Sequence, residues 1–169
     1  MTAPQMNPCE RVGLELINTA RFRTTNSVDL PITPSQLWQV LEDAEAYPQW
    51  SYVTRMNWTS PRPFRVGSTR AIETSVGGHV IDEVIAWHPQ VHLAFRVNAV
   101  SAPTEGASVE EFRIEPTPQG CRLTWTLAHD PKKVSLGVKL VAKTVMNVKY
   151  RQYLDKLRKY SEQRFGVSI

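Results

Sequence analysis

Residues 133–165 read KVSLGVKLVAKTVMNVKYRQYLDKLRKYSEQRF, a run that follows Pro131, contains no proline and has Gly137 as its only glycine. Apolar side chains recur along it at helical spacing: Val134, Val138, Val141, Val145 and Val148, and one step round, Met146, Tyr150, Tyr153, Leu157 and Tyr160. The spacing predicts one helix. At about 1.5 Å per residue it would extend ~45 Å, longer than a small domain needs for packing alone. Its apolar stripe requires a cover. Upstream lie short strand-like runs and little other strong helix, so the simplest architecture is α+β, one curved antiparallel sheet wrapped around this helix.

The 169 residues suit a single domain with a proper core. Apolar residues at 41% and charged residues at 21% are ordinary for a globular chain. No run of eighteen apolar residues occurs, which argues against a membrane-spanning helix. The opening MTAPQMNPCE lacks a basic segment followed by an apolar stretch, so no secretory signal is expected and the cytoplasm is the default location. Cys9 and Cys121 belong to no CxxC pair and no metal-ligand spacing.

The net charge of +4 is uneven. From Asp130 onward there are ten Lys or Arg against three acids, so the expected helix has one apolar and one basic face. A basic face of this kind suits weak contact with an anionic membrane, or simply a solvated helix back. Nothing resembles a basic recognition helix or an aromatic-interleaved strand, so no nucleic-acid partner is expected.

Residues 1–10, with Pro4 and Pro8, read as a flexible tail, and 11–169 as the domain. Val12, Leu14 and Leu16 alternate with polar residues or glycine and fit either a short strand or one helical turn. Phe22–Leu30 favours a strand. In Thr33-Pro34-Ser35-Gln36 three signals start a helix: a capping threonine, a proline at the first position and a glutamine able to reach back. That helix would bury Leu37, Trp38, Val40 and Leu41. Asp43–Trp50 reads as a second short helix ended or bent at Pro48. Strands are expected at 53–58, 68–76, 79–87, 91–100, 108–115 and 121–128, with Gly77-Gly78 as a two-residue hairpin and a loop over 101–106.

The run Asp29-Leu30-Pro31-Ile32-Thr33-Pro34, then Leu37-Trp38-Gln39-Val40-Leu41, Tyr47-Pro48-Gln49-Trp50, Val66-Gly67, and Asp82-Glu83-Val84-Ile85-Ala86-Trp87 with Pro89, resembles the polyketide cyclase/dehydrase and lipid-transport family. That family belongs to the superfamily of START and birch-pollen-allergen-like proteins, SRPBCC. The resemblance covers roughly residues 22–165. It implies a helix-grip fold: a seven-stranded antiparallel sheet curled round the C-terminal helix, two short helices between the first and second of its strands, and an elongated apolar cavity. It also implies a hydrophobic small-molecule partner such as a lipid, sterol or polyketide. It does not imply catalysis, because one scaffold hosts many functions.

Strand alternation selects a lining for such a cavity. The expected ligand-binding set is Met56, Trp58, Ile72, Phe95, Val97, Phe112, Ile114, Trp125 and Leu127 from the sheet, with Val145, Met146 and Tyr150 from the helix. Two acids stand out. Glu110 shares a face with Phe112 and Ile114, which places it either inside or at a solvated strand end. One of Asp82 and Glu83 should point inward, and Glu83 is the choice because it shares a face with Ile81, Ile85 and Trp87. With Tyr150, these acids are the candidates for catalysis if there is any.

No metal or cofactor is expected. His88 and His92 are four apart, but Pro89 denies them a common helical face, and His79 and His129 sit at strand ends. Gly67, Gly77 and Gly78 make no GxGxxG, there is no P-loop and no Gly-x-Ser-x-Gly elbow. The leading expectation is therefore a binding protein for a hydrophobic molecule. A cyclase- or dehydratase-type enzyme using a buried acid is the alternative, and lipid exchange at a membrane surface a further one. Oligomeric state and ligand identity are beyond the sequence.

Overall fold

The computed structural model describes residues 4–102, 106–131 and 136–167, and the side chains of the last segment from 144 onward. Its elements run β1 (Asn7–Pro8), α1 (Leu16–Thr19), β2 (Phe22–Leu30), α2 (Pro34–Glu42), α3 (Tyr47–Trp50), β3 (Val53–Trp58), β4 (Thr69–Thr74), β5 (His79–His88), β6 (His92–Val100), β7 (Gly106–Thr117), β8 (Gly120–Pro131) and α4 (Leu136–Phe165). Val134, Val138, Val141 and the lysines at 132, 133, 139 and 143 lie outside the described side chains.

Seven strands form one curled antiparallel sheet in the order β2-β8-β7-β6-β5-β4-β3. From β3 to β8 each strand pairs with the next in the chain, while β2 closes back on β8. The edge strands are thus β2 and β3, and α2 and α3 carry the chain from one edge to the other. This is the helix-grip arrangement the resemblance implied.

Local chemistry explains the helices. Thr33 accepts from the Gln36 amide at 3.2 Å, and the Gln36 side chain accepts from the Thr33 amide at 2.9 Å. This reciprocal cap is worth about 1 kcal/mol. Leu37, Trp38, Val40 and Leu41 are buried beneath it, as their spacing requires. Pro48 does not end a helix at 43–50. It sits in the first turn of α3, where its missing N–H leaves no hydrogen bond unmade.

The core on the concave face joins α2 and α3 to the sheet and to Tyr150, Leu154 and Leu157 of α4. The two stripes foreseen on α4 separate here: Tyr150 and Leu157 are buried, whereas Val145 and Val148 are each 51% exposed. A second cluster lies on the outer face, where Leu16 and Ile17 of α1 cover Ala107, Val109 and Ala128 and pack with Ile85.

Residues 7–10, read from the sequence as part of a tail, are hydrogen-bonded to the sheet. Asn7 and Pro8 pair with Val100 and Ala99 of β6, the Cys9 amide donates to the Asn98 carbonyl at 2.8 Å, and the Glu10 amide to the Gly106 carbonyl at 3.0 Å. The β6–β7 ladder ends at the Arg96–Val109 pair, so this segment supplies partners where the two strands part.

Candidate functional site

Between the sheet and α4 lies a cavity of about 390 Å³. Of the residues expected to line it, Ile72, Phe95, Val97 and Leu127 do so from the sheet, and Val145, Met146 and Tyr150 from α4. The other five stand behind that lining, in the packed core. Met56 and Ile114 are buried among apolar neighbours. Phe112 stacks on Trp125 with ring centres 5.4 Å apart. Trp58 stacks on Phe64 at 3.9 Å and donates its indole N–H to the Glu42 carbonyl at 2.9 Å.

Glu110 is opposite Phe95 of β6 and Leu127 of β8, both cavity residues, so its side chain faces the cavity and not solvent at a strand end. Oε1 accepts from the Trp125 indole N–H at 2.9 Å. Desolvation is the largest influence on this carboxyl; the nearby Asp82 charge adds to it, while Arg70 and the Trp125 bond oppose it. The balance pushes its pKa up to about 7. At neutral pH such a group is near half-protonated and can donate or accept a proton.

Glu83 faces the other way, a correction to the inward placement expected of it. Its carboxylate receives Arg96 at 2.9 Å, Asn98 at 2.8 Å and Arg11 at 3.1 Å on the outer face. Although partial desolvation opposes this, those bonds hold its pKa below the usual glutamate value. Asp82 is the inward acid. The face that Glu83 shares with Ile81 and Ile85 is apolar because α1 packs on the outside, and a bulge between Val84 and Ala86 then returns Trp87 to the inner side, against Trp38 at 5.0 Å.

Asp82 forms a two-pronged pair with Arg70: Nε to Oδ1 at 3.0 Å and Nη2 to Oδ2 at 2.6 Å. Arg70 is 1% exposed and Asp82 3%. The guanidinium lies 3.4 Å from the centre of the Phe95 ring and donates to the Tyr47 hydroxyl at 3.1 Å, which in turn donates to the Leu41 carbonyl at 2.9 Å. Desolvation works against the arginine's charge, but Asp82 more than offsets it, so its pKa is raised. Desolvation also lifts Tyr47 to about 12.

Sequence reasoning missed this pair because it assumed a two-residue hairpin. The connection between β4 and β5 spans Ser75–Gly78, with Gly77 at φ 77°, and sets Arg70 opposite Asp82. A two-residue loop would instead have set Glu73 opposite Asp82. Tyr52, which lines the cavity from the segment before β3, carries no periodic signal. Cys9, Val80, Ser108, Lys149 and Tyr153 complete much of the remaining wall.

The histidines are separated in role. His88 and His92 stack at 5.9 Å, with His92 Nε2 2.8 Å from Glu111, while His129 borders the cavity and meets the Ala107 carbonyl. Among the described residues, no group of three or more His, Cys, Asp or Glu is placed to hold a metal ion.

Solved structures share the fold. A START superfamily protein from Mycobacterium smegmatis superposes with a TM-score of 0.69 at 15% identity, over 83% of this chain and 97% of that one. A protein from Mesorhizobium loti does so with a TM-score of 0.65 at 19% identity, over 84% and 98%. In sequence, an uncharacterized protein of Mycobacterium tuberculosis is 42% identical over 164 residues, 96% of this chain and 98% of its own length. A family model described as polyketide cyclase / dehydrase and lipid transport matches residues 21–162, nearly all of the curled sheet and its gripping helix, and the chain belongs to that family.

Proposed function

We propose that the protein binds a hydrophobic small molecule of the lipid, sterol or polyketide kind in the cavity between the sheet and α4. The observation that carries this reading is the wall itself: Ile72, Val80, Phe95, Val97, Leu127 and Met146 present apolar surface around a volume within the usual range of ligand sites. The family's lipid-transport description is consistent with it. The test is mass spectrometry of solvent extracts from natively folded protein, against a mock purification. A discrete co-purifying apolar compound supports binding; protein that neither carries such a compound nor takes one up from a mixture of lipids and polyketides counts against it.

Glu110 favours a second reading, an enzyme that moves a proton on the molecule it holds. An enclosed carboxyl titrating near neutrality is suited to general acid or base work. Under this reading Glu110→Gln abolishes turnover of the bound compound and leaves its affinity within a few-fold. Absence of any turnover by the native protein, with Glu110→Gln lowering affinity alone, would leave simple binding.

A further inference from the structure

The cavity's polar groups are not scattered. Glu110 projects between Phe95 and Leu127, and Tyr150 lies against the Trp125 ring at 4.2 Å, the same indole that holds Glu110 Oε1. Tyr52 and Tyr150 each lie close to Tyr153, with ring centres 6.0 and 6.1 Å from it. The negative charge of Glu110 is the largest influence raising the Tyr52 pKa and a lesser one at Tyr150, so all three groups sit within electrostatic reach of one another. Among the described residues, neither hydroxyl has a hydrogen-bond partner, and the only one found for Glu110 is the bond from Trp125 to Oε1. All three residues line the cavity.

Three polar groups with unused capacity, converging within an otherwise apolar wall, are what a cavity needs to orient a ligand that carries polarity at one place. We propose that this corner recognises a single neutral oxygen function, a ketone or a hydroxyl, on an otherwise apolar molecule, with Glu110 as its hydrogen-bond partner and the Tyr52 and Tyr150 hydroxyls beside it. The inference rests on the cavity-binding reading and names the chemistry of the ligand that reading leaves open.

The corner selects against two alternatives. A bare hydrocarbon would shut water away from the half-buried Glu110 carboxyl and the phenols and give the second carboxyl oxygen and the hydroxyls no partner in return. A ligand carboxylate here would meet Glu110 and Asp82, while Asp82 already engages Arg70 in both directions and Lys149, the lysine of the wall, is exposed to water. A ketone can only accept, so a bond to it from Glu110 needs the acid form, whereas the Tyr52 and Tyr150 hydroxyls can donate at any pH; a hydroxyl can accept from the acid or donate to the carboxylate.

Arg70 on β4 stays cationic, and Tyr47, Tyr52 and Tyr150 stay neutral because their pKa values are raised. His129 on β8 is held below its ordinary value, chiefly by desolvation. Lys149 and Tyr153 of α4 line the same wall, and Asp82 of β5 is fixed against Arg70.

The experiment is displacement of a neutral apolar dye, N-phenyl-1-naphthylamine, from the full-length protein by undecane, 2-undecanone and 2-undecanol at about pH 6 and about pH 8.5. In the native protein the ketone, measured against undecane at each pH, should compete about tenfold better at the lower pH than at the higher one. The alcohol should keep its advantage at both. Glu110→Gln keeps the acceptor for Trp125 and gains a permanent N–H donor, so its ketone preference should persist without pH dependence. Glu110→Leu should lose the pH dependence. If the ketone's standing against undecane is the same at both pH values in the native protein, or if its pH dependence survives Glu110→Leu, the oxygen site is overturned and cavity binding stands. If neither the dye nor any compound binds, cavity binding fails and this inference falls with it.

Discussion

Trp125 Nε1 donates to Glu110 Oε1 at 2.9 Å, tying a buried ring of β8 to a cavity-facing carboxyl of β7. The bond secures one oxygen of Glu110 while leaving the carboxyl in an enclosure that favours its protonated form. That single relationship has a consequence for stability.

A carboxyl with a folded pKa of about 7 against an ordinary 4.5 favours folding least when it must ionise. The native state binds the proton more tightly, so stability is fully present below about pH 4.5 and is lost as pH rises through about 7. The loss amounts to about 3 kcal/mol. Glu110→Gln removes that dependence. Urea denaturation across this pH range should show the variant gaining on the native protein by up to that amount as pH rises. A stability difference flat with pH would mean that Glu110 does not titrate there.

Arg70 and Asp82 are paired without access to water, and removing one leaves the other's charge buried. Arg70→Met or Asp82→Leu should each cost about 3–5 kcal/mol, while the double variant Arg70→Met/Asp82→Leu should cost clearly less than the sum. A double-mutant cycle by chemical denaturation measures this. Strict additivity would show that the two groups stand independently.

Glu83 lies on the outer face, so Glu83→Gln should leave affinity for an apolar dye within about twofold and cost less than about 1 kcal/mol. Fluorescence titration reads the first quantity. A large loss of dye binding with the fold intact would place Glu83 in the site after all.

Cys9 lines the cavity through the strap that joins β6 and β7, and partial burial raises its thiol pKa. Alkylation by iodoacetamide should therefore be slow, and slower still when dye fills the cavity, in proportion to the unoccupied fraction. A Cys121→Ala variant isolates the Cys9 signal, since Cys121 is fully buried. Equal labelling with and without saturating dye would put the occupied volume elsewhere.

The architecture was legible because it depends on local patterns. The helical spacing in 133–165, the box formed by Thr33 and Gln36, and the strand-favouring residues of Phe22–Leu30 each specify an element from neighbours in the chain, and the alternation in Leu93–Val97 and Leu123–Leu127 specifies an inner face as well. Strand alternation with period two put nine sheet residues on the inner face, of which four border the cavity. What alternation could not distinguish was cavity wall from packed core: Phe112 and Leu127 are equally inward, yet only Leu127 borders the open volume.

The polar half of the site was decided by tertiary structure. Which of Asp82 and Glu83 points inward depends on a four-residue turn, two bulges in the β5–β6 ladder and an outer helix that makes the opposite face apolar as well. Glu110 faces the cavity by its own parity, but its protonation depends on Arg70, Asp82 and Trp125, which arrive from three other strands. Sequence by itself determined most of the elements and, outside β5, the faces of the strands that line the interior, since those obey short-range periodicity. Only the assembled sheet and α4 decided which charges meet in the interior, since that is set by register and by long-range enclosure from water.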